Sequence, residues 1–189
     1  MSTIIFDIDG VILDFNLKFV NWMKNKYNIE LELNPVSYDH CDDFPGSHEK
    51  LYEYIHEFVD HEEEHLDTIC SEIAELPRKL HKLGFRIVMI TAYRNQEARK
   101  KNLAELNIYY DQIIFDDNKL PYVQEIAPIC CIEDRPKTVK LYNDNNIPTL
   151  VPGYWNYTQE LKGDFITKYR DTQHLEELII KLSQKLKNN

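Results

Sequence analysis

Residues 4–12 read Ile4-Ile5-Phe6-Asp7-Ile8-Asp9-Gly10-Val11-Ile12. The apolar opening has no polar alternation, which predicts a short strand buried on both faces. It runs straight into two carboxylates, so both stand at its carboxyl end, where open parallel sheets bind ligands. One residue separates them, so their side chains diverge and need not do the same job. Gly10 permits the backbone reversal that such a turn needs. Taken alone, the stretch reads equally well as a strand-to-turn transition decorated with acidic turn residues.

Similar apolar runs recur at 85–90, 112–115, 129–132 and 148–151. Helix-length amphipathic stretches lie between the later ones, at 95–106, 119–126 and 136–143, and a last one spans 172–187. Strand-helix-strand repetition with doubly buried strands predicts an α/β fold, a doubly wound parallel sheet. One interval breaks the rhythm. After the first strand the next begins only at 85, and a crossover needs about a dozen residues or a little more. The intervening chain is helical in pattern, with Ser47 placed to cap a helix through Leu51, Tyr52, Ile55 and Phe58. This predicts a small helical subdomain at 16–75, inserted over the strand ends, with residues 1–15 and 76–189 forming the core.

Two further strands end in oxygen-bearing residues. Ile87-Val88-Met89-Ile90-Thr91-Ala92 delivers a hydroxyl to the same sheet edge, where Thr91 and the following amides, that of Ala92 first, could hold a phosphoryl oxygen. The plainer alternative makes Thr91 a cap for the next helix. Ile129-Cys130-Cys131-Ile132-Glu133-Asp134-Arg135-Pro136 ends in paired acids, which otherwise read as an Asp-Arg pair at a helix start. Lys119 precedes that strand, and a lone lysine at a helix start is ordinarily a solvated surface group.

Bulk composition narrows the classes. Hydrophobic residues make up 43% and charged residues 29% of 189, the balance of a soluble globular protein. The net charge of -10 argues against nonspecific binding to nucleic acid polymers or anionic membranes. It does not exclude a phosphate substrate, because a bound divalent cation reverses the local field. Cys41, Cys70, Cys130 and Cys131 form no Cys-x-x-Cys pair, so a reducing compartment is expected. With no basic region ahead of the first apolar run and no apolar stretch of ~18 residues, the sequence predicts a cytoplasmic protein with no signal peptide or membrane span.

Acid pair, hydroxyl, lysine and acid pair, opening on Phe6-Asp7-Ile8-Asp9-Gly10-Val11, strongly resemble the motifs of the haloacid dehalogenase (HAD) superfamily of phosphatases. The resemblance covers 3–151, and the long insert resembles that family's helical cap. It implies a magnesium-dependent phosphomonoester hydrolase working through an aspartyl-phosphate. Asp7 then matches the nucleophile, Asp9 the general acid, Thr91 and Ala92 the phosphoryl-binding elements and Lys119 the neutralising lysine. The implied magnesium ligands are Asp7, Asp134 and the main-chain carbonyl of Asp9, with Glu133 in support, a partial oxygen shell of the kind magnesium takes.

Within the superfamily, Asp14-Phe15, Glu133-Asp134-Arg135-Pro136 and Tyr154-Trp155-Asn156 resemble the 5'(3')-deoxyribonucleotidases and related bacterial nucleotidases. Those enzymes often carry two aspartates where Glu133-Asp134 stands, and a shorter run where Thr91-Ala92-Tyr93-Arg94 stands. A nucleobase stacks on aromatic rings, and Phe15, Phe19, Phe44 and Trp155 are the expected rings. A phosphatase of another small metabolite, a polynucleotide 3'-phosphatase and a catalytically silent phosphate-binding module are the alternatives. A separate motif, His61-Glu62-Glu63-Glu64-His65, spells a zinc-protease helix, but it lies in an acidic run with no third-ligand extension.

Overall fold

The computed structural model describes residues 1–61 and 65–187. Its strands are β1 (Thr3–Phe6), β2 (Arg86–Thr91), β3 (Gln112–Phe115), β4 (Cys130–Ile132), β5 (Thr149–Pro152) and β6 (Ile166–Tyr169). The helices are α1 (Phe15–Tyr27), α2 (His48–His61), α3 (Ser71–Lys82), α4 (Gln96–Glu105), α5 (Leu120–Ile126), α6 (Pro136–Asp144) and α7 (Thr172–Lys187). One parallel sheet holds all six strands in the order β3-β2-β1-β4-β5-β6. The chain therefore leaves β1 in one direction and returns to its other side at β4, so the switch point of the topology lies between β1 and β4.

Alternate residues of each strand feed two apolar layers, which is why the strands show no polar alternation. Ile4, Phe6, Ile87, Met89, Cys130 and Ile132 point to one face, with Ile73 and Leu80 of α3 and Leu175 and Ile179 of α7. Ile5, Val88, Ile90 and Cys131 point to the other, with Val123 of α5 and Tyr142 of α6. The sixth strand lies beyond the five that apolar runs predict. Ile166-Thr167-Lys168-Tyr169 pairs only with β5 at the sheet edge, and its half-polar composition hides it from a search for buried runs.

The insert leaves and re-enters the core at one place. The Asp14 amide donates to the Asp67 carbonyl (2.8 Å) and the Ile69 amide to the Ile12 carbonyl (2.9 Å), so the outgoing and returning segments run side by side. Asp14 caps α1 through its carboxylate, and Ser47 accepts from the Lys50 amide at the start of α2 (3.3 Å). Phe15, Phe19, Trp22 and Phe58 pack ring against ring between the two helices. The expected boundary at residue 75 falls inside α3, which packs on β2 and α7 in the sheet layer. Asn34 ties the insert to the loop after β5 by donating to the Tyr154 carbonyl (2.8 Å) and accepting two 2.7 Å hydrogen bonds from Asn156.

All four cysteines are free thiols. No helix among the described residues is long and apolar enough to cross a membrane.

Candidate active site

Strand register assembles the site. Phe6 lies opposite Ile132 in the β1–β4 pair and opposite Met89 in the β1–β2 pair. Asp7 and Glu133 directly follow that row, and Thr91 ends β2 two residues beyond Met89, so all three emerge at one sheet edge, and the Asp7 amide donates to the Ile132 carbonyl (2.9 Å).

Asp7, Glu133, Asp134 and Lys119 meet in the β1–β4 crevice, each at most 7% exposed. The Lys119 ammonium is 2.8 Å from both Asp7 Oδ1 and Glu133 Oε2. Lys119 sits at the N-terminal end of α5, and the loop before it is held by Arg135 Nη1 on Asp117 Oδ1 at 2.6 Å. Burial alone would lower the lysine's pKa, but the charges of Asp7 and Glu133 outweigh it and raise the pKa. Glu133 spends both oxygens on neighbours, Oε2 on Lys119 and Oε1 on the Arg135 amide (3.1 Å). Asp7 Oδ1 also accepts from the Ile8 amide (2.7 Å).

Asp134 is held differently. The Tyr157 hydroxyl donates to its Oδ2 (2.7 Å), while its Oδ1 is buried with no hydrogen-bond partner. Burial first, then the charge of Asp7, pushes the carboxyl up to about 8, against the Tyr157 hydrogen bond. Burial followed by Asp7 likewise holds the Glu133 carboxyl well above the carboxylate range. Gly10 closes over this wall at φ +76°, and a Cβ there would lie 2.0 Å from Asp134 Oδ2. Only glycine fits the position.

Asp7, Glu133 and Asp134 each offer an oxygen within 4.8 Å of the others, the one such group of three or more potential ligands among the described residues. Three buried carboxylates face one lysine, so ionising all of them calls for further positive charge, and the buried Asp134 Oδ1 without a hydrogen-bond partner is free to meet it. The donor set is all oxygen, which suits a small hard cation. Because Lys119 and the Arg135 amide occupy Glu133, Asp7 and Asp134 are the better side-chain ligands.

Asp9 turns the other way. Its Oδ1 lies 2.8 Å from Nη2 of Arg99, on α4, and its Oδ2 accepts from the Thr91 hydroxyl at 3.3 Å. Burial raises its pKa most, Arg99 opposes, and the charge of Asp7 adds to the rise. Thr91 thus reaches the edge as expected, with its hydroxyl on Asp9 and accepting from the Tyr93 amide (3.1 Å). Ala92 and Arg94 are exposed beside it.

The four expected stacking rings are less free. Phe19 is fully buried among Phe15, Trp22, His40 and Phe58. Phe44 packs edge-on against Tyr54 at 6.1 Å, and Phe15 is half-buried against Phe19 and Phe58. Trp155 is buried, donates its indole N–H to the Gly10 carbonyl (3.0 Å) and stacks on Tyr157 at 5.8 Å, so it braces the loop that carries the two aspartates. Three residues at the site carry no signal in the sequence: Arg99, Tyr157 and Tyr38. Tyr38, from the α1–α2 segment, stands edge-on to Tyr157 at 5.4 Å. Tyr38 is 39% exposed as a whole, but enclosure of its hydroxyl end, then the carboxylates of Asp134, Asp7 and Glu133, raise its phenol's pKa. No periodicity flags any of the three, because each reaches the site across a long sequence separation. The Glu62-Glu63-Glu64 centre of the histidine motif lies outside the described residues, and His65 is 3.5 Å from Glu105.

Similar folds occur among known structures. A predicted phosphatase from Clostridium acetobutylicum matches with TM-score 0.61 at 21% identity, over 94% of this chain and 98% of that one. A protein assigned as a phosphoglycolate phosphatase, from Lactobacillus delbrueckii subsp. bulgaricus, matches with TM-score 0.63 at 14% identity, over 95% and 99%. A HAD-superfamily hydrolase from Ehrlichia chaffeensis matches with TM-score 0.59 at 12% identity, over 95% and 96%. At these identities what is shared is the fold. No family model matches the sequence, and no curated protein does.

Proposed function

We propose that this chain is a magnesium-dependent phosphatase of small phosphate monoesters, acting through Asp7 as a covalent nucleophile. The observation that carries the reading is the split of Asp7 and Asp9 onto opposite walls of one crevice, Asp7 on Lys119 and the acids, Asp9 on Arg99 and Thr91. A two-step phosphoryl transfer needs a carboxylate that stays ionised and another that carries a proton, and the two surroundings suit those tasks.

In the first step an Asp7 oxygen forms a bond to phosphorus while the ester P–O bond breaks. The electron pair goes to the leaving oxygen, and protonated Asp9 gives that oxygen its proton. In the second step Asp9 takes a proton from water as the water oxygen bonds to phosphorus. The pair of the Asp7–phosphorus bond then returns to the carboxylate. Lys119 holds Asp7 in place and faces the charge on the transferring group, with Glu133 fixing the lysine. Thr91 and the Ala92 amide are the proposed contacts for the remaining phosphoryl oxygens. Asp7, Asp134 and the main-chain carbonyl of Asp9 would hold a magnesium ion, whose positive charge would offset repulsion between the carboxylate and the phosphate.

Helices α1 and α2 form the proposed cap, and Tyr38, between them, stands edge-on to Tyr157, which holds Asp134. That cover, with the acidic surface, favours a small metabolite over a polymer. Within the class we propose a (deoxy)nucleoside monophosphate, supported by the resemblance carried by Tyr154-Trp155-Asn156. The test is phosphate release from nucleoside monophosphates, sugar phosphates and a 3'-phosphorylated oligonucleotide, with magnesium and with chelator. Magnesium-dependent release that disappears in Asp7→Asn is the expected result. Release from sugar phosphates alone discards the nucleotide, and no release from any ester discards the phosphatase.

A further inference from the structure

Arg99 is an arginine with no exposed surface, on α4 (Gln96–Glu105), whose other buried residues are Asn102 and Leu103. Enclosing a guanidinium is costly unless it is paired and its orientation fixed. Both conditions hold here. Nη2 sits 2.8 Å from Asp9 Oδ1, the guanidinium carbon lies 4.3 Å from the centre of the Tyr93 ring, and Nη1 donates to Asn102 Oδ1 at 3.4 Å. Asn102 is itself fixed, because its amide donates to the Leu66 carbonyl (2.9 Å) and its Oδ1 accepts from the Leu66 amide (3.2 Å). A buried chain of contacts thus runs from the segment returning from the helical insert, through Asn102 and Arg99, to Asp9.

We propose that Arg99 is a positioning residue that holds the Asp9 carboxyl group against Thr91, on the wall facing Asp7, so that its proton is aimed at the leaving oxygen. The inference rests on the phosphatase reading. Asp9 lies in the hydrogen-bonded turn after β1, and its carboxyl reaches out through two rotatable side-chain bonds, so its partners decide where it points. Both of its oxygens are held from the β2–α4 side, by Arg99 and by Thr91. A planar fork pinned by stacking and by Asn102 sets direction, where a lysine would supply charge alone. The proton moves from Asp9 to the leaving alkoxide as the phosphorus–oxygen pair arrives there, and Arg99 keeps its own protons throughout.

A positioning role and a packing role separate by leaving group. A basic alkoxide needs Asp9's proton in order to leave, whereas a nitrophenolate does not. The measurement is kcat/KM, which covers the steps up to leaving-group release, for an alkyl phosphate and for 2,4-dinitrophenyl phosphate, in the full chain with magnesium. Arg99→Met keeps an unbranched chain over Tyr93. Its expected loss is about 30-fold on the alkyl ester, a part of the roughly 10²- to 10⁴-fold that general acid catalysis contributes, and under about threefold on the dinitrophenyl ester. In an Asp9→Asn background the same change adds no further loss on the alkyl ester. Equal losses on both esters, no loss on either, or an additive loss in the double variant overturns the inference while leaving the phosphatase standing. If Arg99→Met does not fold, Arg99→Lys carries the same test, with a smaller loss again confined to the alkyl ester. Should the wild-type chain cleave neither ester, the phosphatase reading falls and takes the inference with it. Cleavage of both, abolished by Asp7→Asn, shows that the reading survives whatever Arg99 does.

Discussion

Asp7 and Asp9 are two residues apart, yet the crevice gives them different company. Asp7 sits with two other carboxylates and answers to a lysine, on the β4 side. Asp9 sits with a hydroxyl and a buried arginine, on the β2 side. Around Asp134, three buried carboxylates face one lysine, and a carboxyl is pushed up to about 8. Around Asp9 the nearest charge is positive, the Arg99 guanidinium 2.8 Å away. The lesson is that identical side chains acquire different chemistry from the strand next door, β4 or β2, and from the helix each strand feeds.

The most severe way to break this contrast is to neutralise each aspartate in turn. Asp7→Asn is expected to remove turnover of every ester, by on the order of 10⁴-fold or more, as loss of a covalent nucleophile does. Asp9→Asn is expected to cost about 10²- to 10⁴-fold on alkyl esters and far less in kcat/KM on dinitrophenyl phosphate. Matching profiles for the two variants would erase the distinction between the walls.

Removing the cation from the acid wall comes next. Lys119→Met leaves Asp7 and Glu133 buried side by side without a counter-charge, which is expected to cost about 3–5 kcal/mol in denaturant unfolding of the metal-free protein. A loss below about 1 kcal/mol would mean that the lysine is not the charge that holds them together.

The pH dependence sharpens the same point. Asp134 has a folded-state pKa of about 8, above the ordinary carboxylate value, so the folded protein binds more protons than the unfolded chain between about pH 4 and 8. Stability of the chelated protein is therefore expected to fall as pH rises through that window, and the raised Glu133 and Asp9 carboxyls act in the same direction. Magnesium competes with those protons, so its stabilisation is expected to be larger at pH 8 than at pH 5 in thermal melts with and without chelator. Equal shifts at both pH values would remove the ion from the acid wall.

The smallest expected effect is the most local. Tyr157→Phe deletes only the hydroxyl on Asp134 Oδ2. It is expected to weaken magnesium binding about 10-fold, the lower end for groups that orient metal ligands, with little change in KM for the ester. An unchanged magnesium titration would make Tyr157 a packing residue only.

Much of this architecture was legible in advance. Strands buried on both faces announce themselves as apolar runs, so β1 to β5 and α4 to α7 could be read within a residue or two. β6 could not, since an edge strand mixes polar and apolar residues. Asp7, Asp9, Thr91 and Asp134 stand at strand ends and were visible for that reason. Lys119, by ordinary expectation a solvated helix-start lysine, is buried instead because the sheet register brings two carboxylates to it. Phe19 is the reverse case. The sequence offers it among the rings for a base, and the aromatic packing of α1 on α2 encloses it completely.

Local order along the chain thus determined the fold class and the presence of acids and a hydroxyl at one sheet edge, because hydrophobic period and strand-end position are properties of neighbours in sequence. Only the tertiary structure decided which acid meets which cation. Arg99 lies 90 positions from Asp9 and Lys119 lies 112 from Asp7, and such pairings depend on register and helix docking. No window of sequence contains them, so the two walls of the crevice are a product of the fold.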